Sequence, residues 1–246
     1  MLLVAVAGFL CGAVNAVAGG GSLLLFPAMV ATGMGTLAAN VTNSVATWPG
    51  YVGSSLGFRE ELREHRARLP RLLAATVVGS AAGCAVLLAT PEGAFDVVVP
   101  WLVLGAASLL ALQPRIARRV GAPVGDDPRH QRLAVLGVGL ASVYGGYFSA
   151  ALGVVYLGVL SLTVPGPLRR LNGLKAGLSL TDATVSVLAF SLFGPVRWWA
   201  VAAAAPSALV GGYVGSRVAR RIDERALRLG IVGVSVAVSV ALLVAR

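Results

Sequence analysis

The sequence predicts an all-α, polytopic membrane protein made of two inverted repeats. Each repeat is a re-entrant helical hairpin (or two short helices) plus three transmembrane helices. Three observations predict this. First, the 246 residues are 57% hydrophobic and only 12% charged, with a mean hydropathy of +0.83. A globular domain is about 25% charged and about 45–50% apolar. Too few charges are present to cover a water-facing surface, so a soluble enzyme is excluded; the abundance of apolar residues excludes disorder. Second, the apolar runs follow one order of lengths, two short and three long, and then repeat it. Third, the basic residues cluster between the runs, where the positive-inside rule can read them.

The runs can be taken in turn. Run 2–17 opens the chain, and Gly19, Gly20 and Gly21 separate it from the short run 22–34. Residues 1–18 end in an Ala-x-Ala pattern at Ala16 and Ala18, but they lack the basic n-region of a signal peptide. They are read as part of the fold. Runs 37–58, 72–90 and 98–114 reach or approach the length of about 20 residues that spans hydrocarbon. Runs 133–148 and 151–164 form the second short pair, broken at Ser149, Ala150 and Ala151. Runs 171–192, 199–216 and 229–245 complete the second set. The expected organisation is a first membrane repeat over 1–114, a basic cytoplasmic linker over 115–132 and a second repeat over 133–246. A slide of 132 positions lays Asn40 on Asn172, Asn43 on Lys175 and Gly21 on Gly153. Internal repeats of this kind are frequent in transporters.

Charge sets the topology. If each short pair is one broken crossing helix, 12 of the 20 basic residues lie inside and 8 outside. If each pair is a hairpin that returns to its own face, the clusters at 59–71, 115–132, 169–175 and 217–228 all lie inside. Together they hold 18 basic residues, leaving only Arg197 and Arg246 outside. The hairpin arrangement obeys the positive-inside rule far better. Full crossing by the short runs gives nearly the same count and stays open. Each half then has an odd number of crossings, so the halves are expected upside down to each other, with a site where they meet. Segment 91–97, which holds Glu92 and Asp96 but no Lys or Arg, suits the outer face, and Trp101, Trp198 and Trp199 fall at the expected outer interface. The net charge of +10 is thereby assigned to loops and not to nucleic acid.

The first site candidate is the turn Gly19, Gly20, Gly21, Ser22. Irregular backbone at membrane depth must be satisfied by protein or by a wet cavity. Ser22 is expected to cap the following helix, whose N-terminus would offer N–H groups to an anion. Close packing is the competing reading of the glycines, as it is for Gly8–Gly12 and Gly79–Gly83, each spaced by four. The second candidate is the stripe Asn40, Asn43, Thr47, read either as substrate contacts or as interhelical hydrogen bonds. Trp48 and Pro49 follow; a bend is expected at the proline, and Trp48 faces either a cavity or lipid. The third is the stripe Asn172, Lys175, Ser179, Asp182. Asp182 is the one acidic residue away from a loop or helix end. A carboxylate at that depth marks a proton or ion step, or a buried pair. Lys175 is about 10 Å from the basic end of its helix, close enough either to snorkel to water or to meet an anion. Tyr144 and Tyr147 flank Gly145 and Gly146 and read as packing, while His65 and His130 read as solvated. Cys11 and Cys84 lie inside apolar runs as packing residues. No metal-ligand set, nucleophile–base pair or nucleotide motif is recognisable, so neither an enzyme, a metal nor a cofactor is expected.

The stretch from Gly12 through Gly19, Gly20, Gly21 and Ser22 to Pro27, followed by Ala38 to Ser44, resembles the first signature of the sulfite exporter TauE/SafE family, also called the toluene-sulfonate uptake permeases. The resemblance extends over the chain in length, repeat layout and loop pattern. It implies transport of sulfur-containing anions such as sulfite or organosulfonates, driven by an ion gradient. It places the Gly-rich turn at Gly19 to Ser22 and the Thr-Asn pair at Thr42 and Asn43. In the second half, Ser149 to Gly153 stands where a second Gly-rich turn is expected.

The reading is therefore a multi-pass secondary transporter in a bacterial cytoplasmic membrane, with a small anion and the bilayer as partners. The hairpin helix ends and Lys175 would hold the anion, and Asp182 would couple a proton. Substrate identity, direction and coupling ion stay open, as does a homo-oligomer. The alternatives are a passive channel, with flux independent of any gradient, and a non-transporting assembly or sensor subunit, with a dry interior at the hairpin tips.

Overall fold

The computed structural model describes residues 1–17, 19–63, 68–119 and 128–218, together with residues 229, 232, 233, 236, 237 and 240. His65, residues 219–228 of the last basic loop, residues 120–127 of the linker and most of run 229–245 lie outside the described residues. Ten helices account for most of the rest: α1 (Leu2–Val17), α2 (Ser22–Val30), α3 (Thr36–Gly57), α4 (Arg59–Arg63), α5 (Leu69–Ala89), α6 (Glu92–Arg119), α7 (Pro128–Tyr147), α8 (Leu152–Thr163), α9 (Leu168–Phe193) and α10 (Trp198–Val218). Every apolar run up to residue 218 becomes a helix, with ends shifted by a few residues.

Among the described residues three segments are long and apolar enough to cross a membrane: α5, Glu92–Leu112 of α6 and Arg170–Phe193 of α9; less than half of each is buried within the protein. Their remaining surface carries exposed apolar residues such as Val78, Val98 and Leu188, as expected of a face turned to lipid. By contrast α3 holds Asn40, Thr42, Asn43, Ser44 and Thr47 and is buried along most of its length. It packs against α1, α2, α6, α9 and α10, which makes it a central helix shielded from lipid. A polar sequence is tolerated there because neighbouring helices supply partners.

The packing partners of the two halves interchange. α1 lies along α10 as α7 lies along α5. α3 packs on α10 as α9 packs on α5, and α3 and α9 touch each other. Each long interface is stitched by small residues: a Cβ on Gly12 would run into the Ala208 carbonyl of α10, and a Cβ on Gly83 into the Val143 carbonyl of α7. The pairs Gly8–Gly12 and Gly79–Gly83 are thus packing devices, as their spacing suggests.

Two local features differ from the sequence reading. The short helix α4 forms within the basic loop and docks on α9, where Glu61 lies over Gly173 and Leu62 over Gly177. α6 begins at Glu92, directly after Pro91, so the expected outer loop 91–97 is mostly helix. Trp101 consequently sits about 14 Å along that helix, whereas Trp198 and Trp199 do mark a helix end. Pro49 lies inside α3, where the bend is expected.

The tight α1–α10 contact predicts opposite results for two glycines. Gly12→Val should lower the melting temperature in detergent by an amount equivalent to about 1–3 kcal/mol of overpacking. Gly105→Ala, with nothing within 4 Å of the added carbon, should be neutral or slightly stabilising. Equal effects would show that the interface is looser than described.

Candidate functional site

The site is built from the two places where the short helices break. α1 ends at Val17, and Gly19 adopts a left-handed backbone (φ 83°), with its N–H donating to the Val14 carbonyl at 3.0 Å. The chain then reverses into α2. Ser22 does not cap that helix: it is its first residue, and Gly21 occupies the cap position. The cap comes from Asn15, whose Oδ1 accepts a hydrogen bond from the Gly21 N–H at 2.7 Å. The reason is geometric. A chain that doubles back within four residues puts the last turn of α1 beside the first turn of α2, so a side chain from α1 reaches the open N–H.

The second break uses other residues for the same reversal. Ser149 (φ 58°) and Ala151 (φ 56°) both adopt the left-handed backbone, and the Tyr144 hydroxyl donates to the Ala150 carbonyl at 2.6 Å. Tyr144 is thus a staple of the hairpin, and Tyr147 packs on Phe95 with ring centroids 6.0 Å apart, which agrees with their reading as packing residues.

The two breaks touch. A Cβ added to Gly19 would lie 2.7 Å from the Gly153 Cα, and one added to Gly153 would lie 2.7 Å from the Gly19 Cα. Gly19 precedes α2 and Gly153 lies in the first turn of α8, so the starts of the two short helices are brought together. Each start presents the positive end of its helix dipole, although the Gly21, Leu23, Leu152 and Val154 N–H groups are bonded within the hairpins. Lys175 arrives at the same junction from α9. Its Cδ would lie 3.3 Å from a Cβ on Gly153, and its Nζ donates to the Asn15 carbonyl at 3.4 Å. It is 2% exposed, so it does not snorkel.

α3 and α9 hold the tips crosswise. Asn40 of α3 donates its Nδ2 to the Tyr147 carbonyl of the second hairpin at 2.9 Å, and Ser44 meets Ser149 there at 3.4 Å. Lys175 of α9 makes the matching bond to the first hairpin. Trp48 fastens α3 to α9, its Nε1 donating to the Thr184 hydroxyl at 2.9 Å, so it is committed to a helix contact.

Asp182 lies about 10 Å above Lys175 on α9, from seven residues at 1.5 Å each. It is 2% exposed, and its Oδ1 has no hydrogen-bond partner. Ser80 of α5 donates to its backbone carbonyl at 3.1 Å. Gly145 leaves room for the carboxylate, since a Cβ there would stand 2.7 Å from Oδ1. Tyr51 of α3 is a further neighbour: it lies within electrostatic reach of Asp182 and beside Ser22 and Cys11. Neither Tyr51, Gly145 nor Asn15 is singled out by the sequence. Each acquires its place only through the contact between hairpins, although Asn15 has the residue type of a cap.

Buried polar atoms without partners sort the candidates. Among the described residues they include Ser22 Oγ, Asn40 Oδ1, both amide atoms of Asn43, Asn172 Oδ1, Ser179 Oγ and Asp182 Oδ1. All six residues belong to the turn and the two stripes identified from the sequence. Buried side-chain polar atoms are ordinarily hydrogen-bonded, so orphaned ones ask for an explanation such as water or ligand. Thr42 and Thr47 differ. The Thr42 hydroxyl accepts the Arg197 N–H at 2.9 Å, and the Thr47 hydroxyl donates to the Ser44 carbonyl at 3.2 Å. Thr42 is therefore engaged in tying α3 to the start of α10, apart from its neighbour Asn43. Among the described residues no group of three or more His, Cys, Asp or Glu could hold a metal ion.

Comparison with known proteins bears on this arrangement. A family model described as sulfite exporter TauE/SafE matches residues 4–242, and the chain belongs to that family. The probable membrane transporter protein YfcA of Escherichia coli K12 is 26% identical over 243 residues, covering 95% of this chain and 86% of the relative. A probable membrane transporter protein of Haemophilus influenzae is 25% identical, covering 86% and 82%. The probable membrane transporter protein ORF9 of a Sinorhizobium species is 28% identical, covering 97% and 90%. No solved structure gives a significant match. The chain is a membrane transporter of this family.

The division between partnered and orphaned groups predicts a stability pattern. Thr42→Val should lower the melting temperature by the equivalent of about 1–3 kcal/mol, because it leaves the Arg197 N–H without its acceptor. Asn43→Leu should keep or raise it, because it removes two buried atoms that have no partners. The reverse order in thermal unfolding would show that Asn43 is structural and Thr42 is not.

Proposed function

We propose that this transporter is a secondary carrier of a small sulfur-containing anion, sulfite or an organosulfonate, across the bacterial cell membrane, driven by an ion gradient. The observation that carries the reading is the meeting of the two hairpin breaks at Gly19 and Gly153, with the buried Lys175 beside them. Two helix N-termini and an ammonium gathered in a poorly solvated place form a positive focus suited to an anion. The orphaned groups on Ser22, Asn43, Asn172 and Ser179 add neutral hydrogen-bonding capacity around it. Membership of a family of sulfite exporters favours a sulfur oxyanion over other anions.

In this reading residues 1–114 and 133–246 are inverted repeats joined by the basic linker 115–132. The interchange of packing partners between halves supports it; in the same reading the basic clusters at 59–71, 115–132, 169–170 and 217–228 share one face. The hairpins enter from opposite faces, and the halves rock about the tip contact. Asp182 takes up and releases the coupling proton: it is a buried carboxylate about one turn from Ser179 and about three from Asn172 on α9, and Gly145 leaves room beside its Oδ1. Asn40, Asn43, Asn172 and Ser179 line the path of the anion, with Gly19, Gly20, Gly21 and Ser22 presenting the helix end.

Proteoliposomes test the reading. Purified protein should take up labelled sulfite or a labelled sulfonate when a pH gradient is imposed. Lys175→Met should abolish uptake, while Asp182→Asn should leave residual, gradient-independent exchange. Uptake by Asp182→Asn with unchanged gradient dependence would remove the coupling role, and gradient-independent flux by the unaltered protein would point to a channel. Topology is a separate expectation: a cysteine placed within 217–228 should react with an impermeant reagent only from the cytoplasmic side.

A further inference from the structure

We infer that the cleft between α5, α7 and α8 on the basic face holds the phosphate group of an anionic phospholipid. The cleft is a cavity of about 130 Å³, many times the roughly 10–15 Å³ that one water needs. Its polar rim is Arg68 and Arg71 from the start of α5, Gln131 from the start of α7 and Thr163 from the end of α8; Leu72 and Ala134 form apolar floor. Three helix ends meet here, so the cleft sits where the helices leave the hydrocarbon, at headgroup level. Arg71 hydrogen-bonds the Gln131 amide oxygen at 3.5 Å. That partner is neutral, so the bond orients the guanidinium without cancelling its charge. Thr163 donates to its own helix at the Val159 carbonyl, which turns an oxygen and not a proton outward and leaves the Arg71 guanidinium, with Arg68 beside it on the rim, to meet an anion.

The surface that leads away from the cleft favours a lipid over a soluble phosphate. Val78, Ala82 and Ala85 are exposed at i+7, i+11 and i+14 from Arg71 on α5 and continue its face of the helix. This apolar strip descends from the rim into the membrane, where acyl chains would lie against it. Basic pockets between transmembrane helices on the cytoplasmic side are suited to anionic headgroups, with each nearby Arg worth about 1 kcal/mol. The cleft is separate from the hairpin junction and shares none of the residues assigned to the anion path.

Native mass spectrometry of the full chain in detergent, titrated with phosphatidylglycerol or phosphatidylcholine, tests the assignment. One phosphatidylglycerol should be retained in preference to phosphatidylcholine. In the Arg68→Gln/Arg71→Gln variant its binding should weaken by roughly 10- to 30-fold. Arg132→Gln, an exposed charge outside the cleft, serves as the control and should change little. Equal retention of the two lipids would overturn the proposal, as would an equal loss in the control, which would mark a diffuse surface effect. Thermal stabilisation by inorganic phosphate matching that of phosphatidylglycerol would overturn the lipid assignment in favour of a soluble anion. Should the double variant unfold, Gln131→Leu, which removes the amide that orients Arg71, should still weaken retention, and no weakening would count against the proposal.

Discussion

The contact between Gly19 and Gly153 is the constraint on which the rest depends. Within hydrocarbon no water is available to satisfy a broken helix, so each interruption has to find partners inside the protein. Here the two interruptions lie against each other with no side chain between them. The closeness leaves room for Lys175 to pass beside the junction and reach the Asn15 carbonyl. It also dictates that α3 and α9, the helices flanking the tips, carry polar groups at membrane depth. Asn40 and Lys175 each bond to a carbonyl at or near the end of the first helix of a hairpin.

The two tips reach the same backbone reversal by different chemistry. In the first, glycine adopts the left-handed conformation without penalty and Asn15 supplies the cap. In the second, Ser149 and Ala151 adopt that conformation with their side chains in place, at some cost in strain, and the Tyr144 hydroxyl secures Ala150. A glycine-rich signature is therefore one solution to the turn and not a requirement of it. That explains how the second half can do without a Gly-rich turn at Ser149 to Gly153 and still place Gly153 at the junction.

Much of the helical layout was legible because hydrocarbon imposes a simple rule on composition. Run 2–17 and α1 coincide, and runs 151–164 and 171–192 differ from α8 and α9 by at most three residues at either end. The polar stripes were equally legible, since an Asn or Asp within an apolar run stands out against its background. What escaped were features that exist only between elements. Asn15 lies in an apolar helix and becomes a cap only once α2 folds back on it. Tyr51 reads as one more aromatic until α9 brings Asp182 within its field. The helix α4 is too short and too charged to show in a hydropathy pattern and is held by the glycines of α9. Ser22 was misread for a related reason: the turn is one residue tighter than capping by Ser22 would need, so the role passed to a side chain six residues before Gly21.

The orphaned polar atoms give these observations a common energetic sense. A buried group without a partner costs about 1–3 kcal/mol, and seven such atoms lie on Ser22, Asn40, Asn43, Asn172, Ser179 and Asp182. Selection for stability alone would replace them by apolar side chains of similar shape, which is neutral or favourable in a packed interior. Thr42 and Thr47 show that this fold can satisfy buried hydroxyls where structure alone is at stake. A carrier has a reason to leave the others unsatisfied. Groups already paired within the protein would have to break those bonds to bind a substrate, whereas unpaired ones gain bonds only when the substrate arrives. The same groups then favour the loaded state by differential interaction, and such an interaction is what a ligand needs in order to shift a conformational equilibrium. Under the proposed function, the unpaired groups around the tip contact and the capacity to move a substrate past it are one property.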